Sequence, residues 1–344
     1  PFDFTRASSA TRVNKQGLVE TVPSGKPRID FLNNTKGHLL LEPSRTNLVT
    51  YSEAISNTTP KSGTFTDNFA ISPDGTQNAT KLTATNTDPY FYKNFTFSST
   101  TYTMSIYVKG IGNAVGKNFE MRIGGTSPYD TFEIPSEWTR FTTTKTVSAS
   151  TSNFGLEIPN PAVSGDEVLV WGWQLEVGSY ATSYIPTEGS SVTRVVELMT
   201  QTPPSDIIGQ TEGTLYIDFT PNTDEATTKW LAFLGSGSQY IGIYILSNAK
   251  IRLEVANTTS QALFDTSFTI TKGQRYKCAI AYANNDFTAY VNGTQLGTDT
   301  NGSVPATSTI RNYYNTSSIE GTNTNDLKIY DTRLTNTELQ NLTS

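Results

Sequence analysis

The sequence predicts an all-β protein: two antiparallel β-sandwich (jelly-roll) domains, preceded by an extended N-terminal arm and finished by one short C-terminal helix. Three observations carry this expectation. Apolar residues recur with period two in many short runs, as in Tyr102, Met104, Ile106 and Val108 against Thr103, Ser105 and Tyr107, the alternation of a strand with one buried face. Turn-forming residues punctuate those runs, as in Pro73-Asp74-Gly75 and Gly124-Gly125, at the spacing of a sandwich. Only 16% of residues are charged, so the polar surface is built from Thr, Ser and Asn, which suit strands and turns.

Taken in order, residues 1–50 read as the arm, with Pro23, Pro27 and Pro43 separating short apolar pieces and His38 to Leu41 forming one short strand. A segment of this length without its own core packs along a neighbouring domain or another subunit. Residues 51–187 read as the first sandwich. A strand begins at Trp138-Thr-Arg-Phe141 after the break at Pro135, and a last strand places Leu169, Trp171, Trp173 and Leu175 on one face. The chain then breaks at Gly178 and passes through Tyr180, Tyr184 and Pro186 into a linker, 188–212, stiffened by Pro203-Pro204. One echo links arm and linker: Ser8-Ser9-Ala10-Thr11-Arg12-Val13 resembles Ser190-Ser191-Val192-Thr193-Arg194-Val195. Two such matches make no solenoid; they read as similar strands flanking the first sandwich, with Arg12 and Arg194 in structural roles.

Residues 213–344 read as the second sandwich. Leu215, Ile217 and Phe219 share a face, as do Ile241, Ile243 and Ile245, then Ile251, Leu253 and Val255, then Phe287, Ala289 and Val291. Asn292-Gly293 marks a type I′ hairpin. Thr335 is a natural N-cap with Glu338 three residues on and Leu334 and Leu339 at staple positions, the signature of a short helix closing the sandwich's end.

Composition narrows function. With 344 residues, a net charge of -6 and a mean hydropathy of -0.37, the chain lacks the basic face that nucleic acid requires. No apolar run is long enough to insert in a membrane as a helix. The single cysteine, Cys278, lies in a strand-like run and allows no internal disulfide, unlike a stapled secreted domain. Asn-x-Ser/Thr triplets such as those at Asn57, Asn94 and Asn257 are what chance supplies in so Asn- and Thr-rich a chain. The numbering opens at Pro1 inside an ongoing pattern, so residues upstream are expected.

The catalytic inventory is thin. His38 is the only histidine and there is no G-x-S-x-G, which excludes a histidine-based metal cluster and leaves no recognisable serine triad. Two-carboxylate glycoside hydrolysis needs no histidine, but Asp218 and Glu254 sit singly on strands, and Glu157 and Glu167 border turns; all four read as solvated strand charges. Gly124-Gly125 and Gly235-Ser-Gly237 precede no helix and read as turns, not phosphate loops. The chain therefore reads as no enzyme and as needing no cofactor; sandwiches of this kind can hold calcium, but no Asp-rich loop points to it. Aromatic residues reach 11%, and sugar faces stack on aromatic rings oriented by nearby polar groups. The candidate ligand-binding residues are Tyr90 and Tyr92 in Asp88-Pro-Tyr90-Phe-Tyr92 and Tyr129 in a separate loop of the first sandwich, and Arg311, Tyr313 and Tyr314 in Arg311-Asn-Tyr313-Tyr314-Asn315 of the second. Trp171 and Trp173 are structural candidates that fill the first sandwich.

Three stretches resemble a module of bacteriophage tail-fibre and other virion proteins: FTRASSATRVNKQGLVETV and GHLLLEPSRTNLVTYSEAI at its opening, WGWQLEVGSYATSYIPTEGSSVTR at its close. SPDGTQNATKL and YTMSIYVKG also match, and the sandwich between resembles carbohydrate-binding modules. The second sandwich is similar to concanavalin A-like and laminin G domains through EGTLYIDF, NDFTAYVNGTQLG and LKIYDTRLTNTELQNL. The resemblance implies a virion-surface appendage, assembled in the host cytoplasm and acting outside it. It implies a homo-oligomer, with a trimer favoured, that recognises host or extracellular glycans and meets other virion proteins through its arm. It supplies no catalytic residues. The rival expectations are a purely structural head-fibre, decoration or collar protein, and a polysaccharide depolymerase.

Overall fold

The computed structural model describes residues 3–61, 63–85, 89–125, 127–202, 207–223, 227–312 and 322–344. The protein is nearly all β, with antiparallel pairing and, among the described residues, one α-helix, Asn336–Thr343. It divides into two compact units. The first comprises Ser9–Val22 and Arg45–Arg194; the second comprises Pro1–Ser8, Pro23–Ser44 and Val195–Ser344. The sequence-based boundaries thus shift: residues 1–50 are shared between the units, and the span read as a linker divides after Arg194.

In the first unit, one five-stranded sheet runs in the order Asp130–Glu133, Asn118–Ile123, Ser150–Asn160, Tyr90–Phe97, Thr59–Lys61. The other runs Thr139–Val147, Thr100–Ile111, Glu167–Val177, Ala79–Ala84, Gly63–Ala70. Phe91, Met104, Ile106, Phe119, Met121, Phe154, Leu156 and Trp173 form its hydrophobic core. Trp173 lies 5.3 Å from Phe91 and 4.9 Å from Phe154, centroid to centroid.

One expectation about this core is corrected. Trp171 and Trp173 are both fully buried, but in different clusters. Opposite the step from Ser105 to Tyr107 the partner strand runs from Gln174 to Trp171, one residue too many. This is a β-bulge, which flips the faces beyond it. Gly172, at φ +67°, occupies a backbone conformation that side chains rarely adopt. Val168, Val170, Trp173 and Leu175 therefore face the core, while Trp171 packs on Tyr184, Ala79 and Val19.

The quoted motifs close this unit through buried polar contacts. Asn47 donates to the carbonyls of Trp173 and Ile185 and accepts from the backbone N–H groups of Val49 and Leu175. Gln174 and Glu176 receive the backbone N–H groups of Ile185 and Thr182. Burial pushes the Glu176 carboxyl above its ordinary value despite these donors and the nearby Arg194 charge. The echo conceals unequal roles. Arg194 is buried and donates to the hydroxyls of Thr182 and Ser183, whereas Arg12 is partly exposed and pairs with Glu20 at 2.6 Å.

The second unit has two seven-stranded sheets. In one, Asp3–Thr5, Leu198–Gln201 and Ile310–Arg311 precede Lys229–Ser236, Gln239–Ile245, Ile251–Asn257 and Thr259–Asp265. The other runs Thr294–Asp299, Asp286–Val291, Tyr276–Ala283, Glu212–Pro221, Thr322–Tyr330, His38–Leu41, Arg28–Asp30. The N-terminal segment is extended as expected, and its short strands extend both sheets. All four alternating sets read from the sequence face the core, joined by Cys278. Asn292 and Gly293 both have positive φ, as a type I′ turn requires. Thr335 and Glu338 form the capping box, but the helix lies on the outer face of a sheet, where Leu339 packs on Tyr216, Ala279, Ala281 and Tyr290. It covers a face rather than closing an end.

Glu197, from the span read as linker, is fully buried against Arg6 and Arg28 from the arm. Arg28 also pairs with Glu42 at 2.8 Å. Two arginines and two glutamates thus neutralise one another where water cannot reach, the condition for keeping buried charges. Asp218, Glu254 and Glu157 are likewise not solvated: they are 2%, 7% and 9% exposed. Asp218 is paired with Arg275 and Glu254 accepts two tyrosine hydroxyls. Glu167 does remain partly exposed, 2.6 Å from Lys81. His38 is buried 3.7 Å from Asp30, and burial holds its imidazole below its ordinary value although the carboxylate opposes this.

Candidate ligand-binding face

The first unit carries a cavity of about 400 Å³ on the outer face of its 118–123/150–160/90–97 sheet. Alternation explains why tyrosines line it. Along Tyr90–Phe97, Phe91 turns into the core, so Tyr90 and Tyr92 turn outward. Their ring centroids lie 5.0 Å apart at 33°, forming one tilted platform. Strand register then sets the neighbours. Glu157 lies opposite Tyr90 and Glu120 opposite Glu157; Gly155 lies opposite Tyr92 and Arg122 opposite Gly155.

Each row has a physical consequence. Like charges directly opposite on adjacent strands repel, and Arg122 resolves the conflict by donating to Glu120 at 2.9 Å and to Glu157. Tyr129 caps the guanidinium, its ring centroid 4.3 Å from Cζ, a cation–π contact. In the other row Gly155 leaves a gap between Tyr92 and Arg122. A Cβ there would lie 2.1 Å from the Phe91 carbonyl oxygen, so only glycine fits. Asn153 adds an amide to the wall.

The structure therefore places Tyr90 and Tyr92 in one cavity with Arg122, and Tyr129 against the same arginine. Sequence reasoning missed Arg122 and Glu120 and misassigned Glu157. The signal available was Glu120-x-Arg122 alternating with buried Phe119, Met121 and Ile123, although nothing local showed which strand would lie beside it.

The second cluster is not assembled in the same way. Tyr313 and Tyr314 lie outside the described residues. Arg311 is in a two-residue strand opposite Phe233 and Thr200. On that same sheet Trp230 stacks on Tyr244 at 4.0 Å, and Tyr240 and Tyr244 both donate to Glu254. These aromatics were readable as Tyr240-x-Gly242-x-Tyr244 but were not singled out. Among the described residues no group of three or more His, Cys, Asp or Glu side chains could hold a metal ion, and no described helix is long and apolar enough to cross a membrane.

Residues 201–340 match the family described as the concanavalin A-like lectin/glucanases superfamily. No curated protein matches the chain. Among solved structures, a SAP-like pentraxin from Limulus polyphemus is 19% identical with a TM-score of 0.32, over 39% of this chain and 70% of that one. The CBM40 of a Ruminococcus gnavus IT-sialidase is 16% identical with a TM-score of 0.34, over 40% and 84%. The binding domain of botulinum neurotoxin serotype D is 12% identical with a TM-score of 0.36, over 42% and 39%. The segment 201–340 is thus similar in sequence to the concanavalin A-like superfamily.

Proposed function

We propose that the protein is a non-catalytic glycan-binding component of a bacteriophage virion, of the tail-fibre type, and that it acts as a homo-oligomer on the virion surface. The observation that carries the glycan reading is the tyrosine platform beside Arg122, Glu157 and Asn153 in one open cavity. Flat rings take the apolar face of a sugar, and the flanking donors and acceptors fix its hydroxyls. The superfamily match in the second unit supports the same class of ligand, and the virion role rests on the motif resemblance in residues 4–194. A glycan array on the full chain tests the binding: host polysaccharides are expected to bind, and binding is expected to weaken in Tyr92→Ala. An array without a single bound host polysaccharide refutes it. Locating the protein on particles by electron microscopy tests the virion role.

One observation favours a second reading. Glu157 lines the cavity and Glu120 lies directly opposite it on the next strand, and paired carboxylates are what a depolymerase uses. Hydrolysis needs one of them to donate a proton, and both accept a hydrogen bond from Arg122. New reducing ends released from bound polysaccharide would establish the enzymatic reading.

A further inference from the structure

We infer that this site selects uncharged glycans and rejects carboxylated ones, with Arg122, Glu120 and Glu157 as the selecting residues. The inference rests on the reading of the cavity as a glycan site and names the sugar class it takes.

Arg122 is the one cation among the described residues that line the cavity. A sugar carboxylate, as in a uronic or sialic acid, would be drawn to it, because guanidinium and carboxylate match as paired forks. That fork is already engaged. Nη2 donates to Glu120 and Glu157, Nε is enclosed without a partner, and Tyr129 lies against the guanidinium. This leaves Nη1 without a hydrogen bond to any described residue.

An incoming carboxylate would therefore gain one donor and meet two carboxylates beside it. Displacing Glu157 is no remedy, since its side chain is only 12% exposed and taking the guanidinium from a nearly buried carboxylate is costly. A hydroxyl faces no such conflict. It accepts from Nη1 and donates to Glu157, so a donor next to an acceptor suits a group that is both. Neighbouring hydroxyls on a pyranose present this pattern repeatedly, and the two tyrosines supply the apolar platform without regard to charge.

The test uses the full chain on an array of matched pairs, neutral glycans beside uronic or sialylated counterparts, such as lactose and sialyllactose. The tightest pair is then measured by calorimetry. The neutral member is expected to bind about tenfold tighter or more, as like-charge opposition at a contact implies. In Glu120→Gln/Glu157→Gln the preference is expected to shrink by about tenfold, because the guanidinium is freed. If that variant does not fold, Glu120→Gln alone, at a side chain 23% exposed, is expected to shift the ratio in the same direction. Equal or tighter binding of carboxylated members by the unaltered protein overturns the selectivity alone. Binding of no member overturns the glycan reading itself, and the selectivity with it.

Discussion

Glu197→Gln tests whether the segment before the second sandwich is part of its fold. Glu197 is 0% exposed. Its Oε1 accepts from Arg6 Nη1 at 2.6 Å and Arg28 Nε at 2.7 Å, and its Oε2 accepts from Arg28 Nη2 and, at 3.0 Å, the Glu42 backbone N–H. An amide has the same shape, so no cavity forms. In either orientation its NH₂ faces two donors and loses two hydrogen bonds, each worth about 1.5–3 kcal/mol to a charged group. The change also removes one of the two carboxylate charges paired with these arginines. Breaking a buried ion pair costs about 3–5 kcal/mol, and the two routes agree. Hydrogen exchange in urea reads this separately for each unit, following Lys229–Ser236 and Ile251–Asn257 against Thr100–Ile111. Stability of the second unit is expected to fall by about 3–5 kcal/mol. Glu137→Gln, whose partner Lys109 is 3.2 Å away at an 83% exposed carboxylate, is expected to change little, as surface pairs do. A loss below about 1 kcal/mol for Glu197→Gln would refute the reasoning, since it would mean the cluster is not desolvated as a unit.

Four further outcomes are expected. Tyr92→Ala should weaken glycan binding by about 1 kcal/mol, roughly fivefold, with the unfolding midpoint little changed; unchanged affinity by calorimetry contradicts the platform. Gly155→Ala should destabilise the first unit by roughly 1–3 kcal/mol and abolish binding, because its methyl group meets the Phe91 carbonyl; native-like urea unfolding argues against the close approach. Because burial raises the Glu176 carboxyl above its ordinary 4.5, the native state holds more protons than the unfolded state above that pH. Its contribution to stability therefore falls as pH rises from 4.5 through the raised value. The stability of the unaltered protein relative to Glu176→Gln should decline over that window, and a flat or rising difference contradicts the assignment. Thr335→Ala removes the cap that receives the Glu338 N–H and should speed amide exchange in the first helical turn, at a cost of about 1 kcal/mol.

The candidate site shows where legibility ends. Tyr90 and Tyr92 can be picked out because alternation around Phe91 turns them outward together. Arg122 and Glu157 cannot, because their place beside the tyrosines depends on which strands become neighbours across tens of residues. Glu157 reads as a solvated charge when seen alone; paired to Arg122 it is nearly buried. The tryptophan strand fails for a narrower reason. Period-two reasoning assumes uninterrupted pairing, and the extra residue at the Gly172 bulge turns Trp171 away from the core that Trp173 fills. Arg12 and Arg194 have matching sequence neighbours, yet one is partly exposed and the other buried, since burial is set by what packs over a strand.

By itself, then, the sequence determined the all-β class, the core-facing residues of uninterrupted strands, the Asn292-Gly293 turn and the capped helix. Each follows from local steric preference and period. Only the tertiary structure decided that Glu197 meets Arg6 and Arg28, that the N-terminal strands are shared between the two units, and that Arg122 joins two tyrosines in one cavity and a third against its guanidinium. Those outcomes depend on long-range register and on the requirement that every buried charge find a partner, and neither is written in any one stretch of chain.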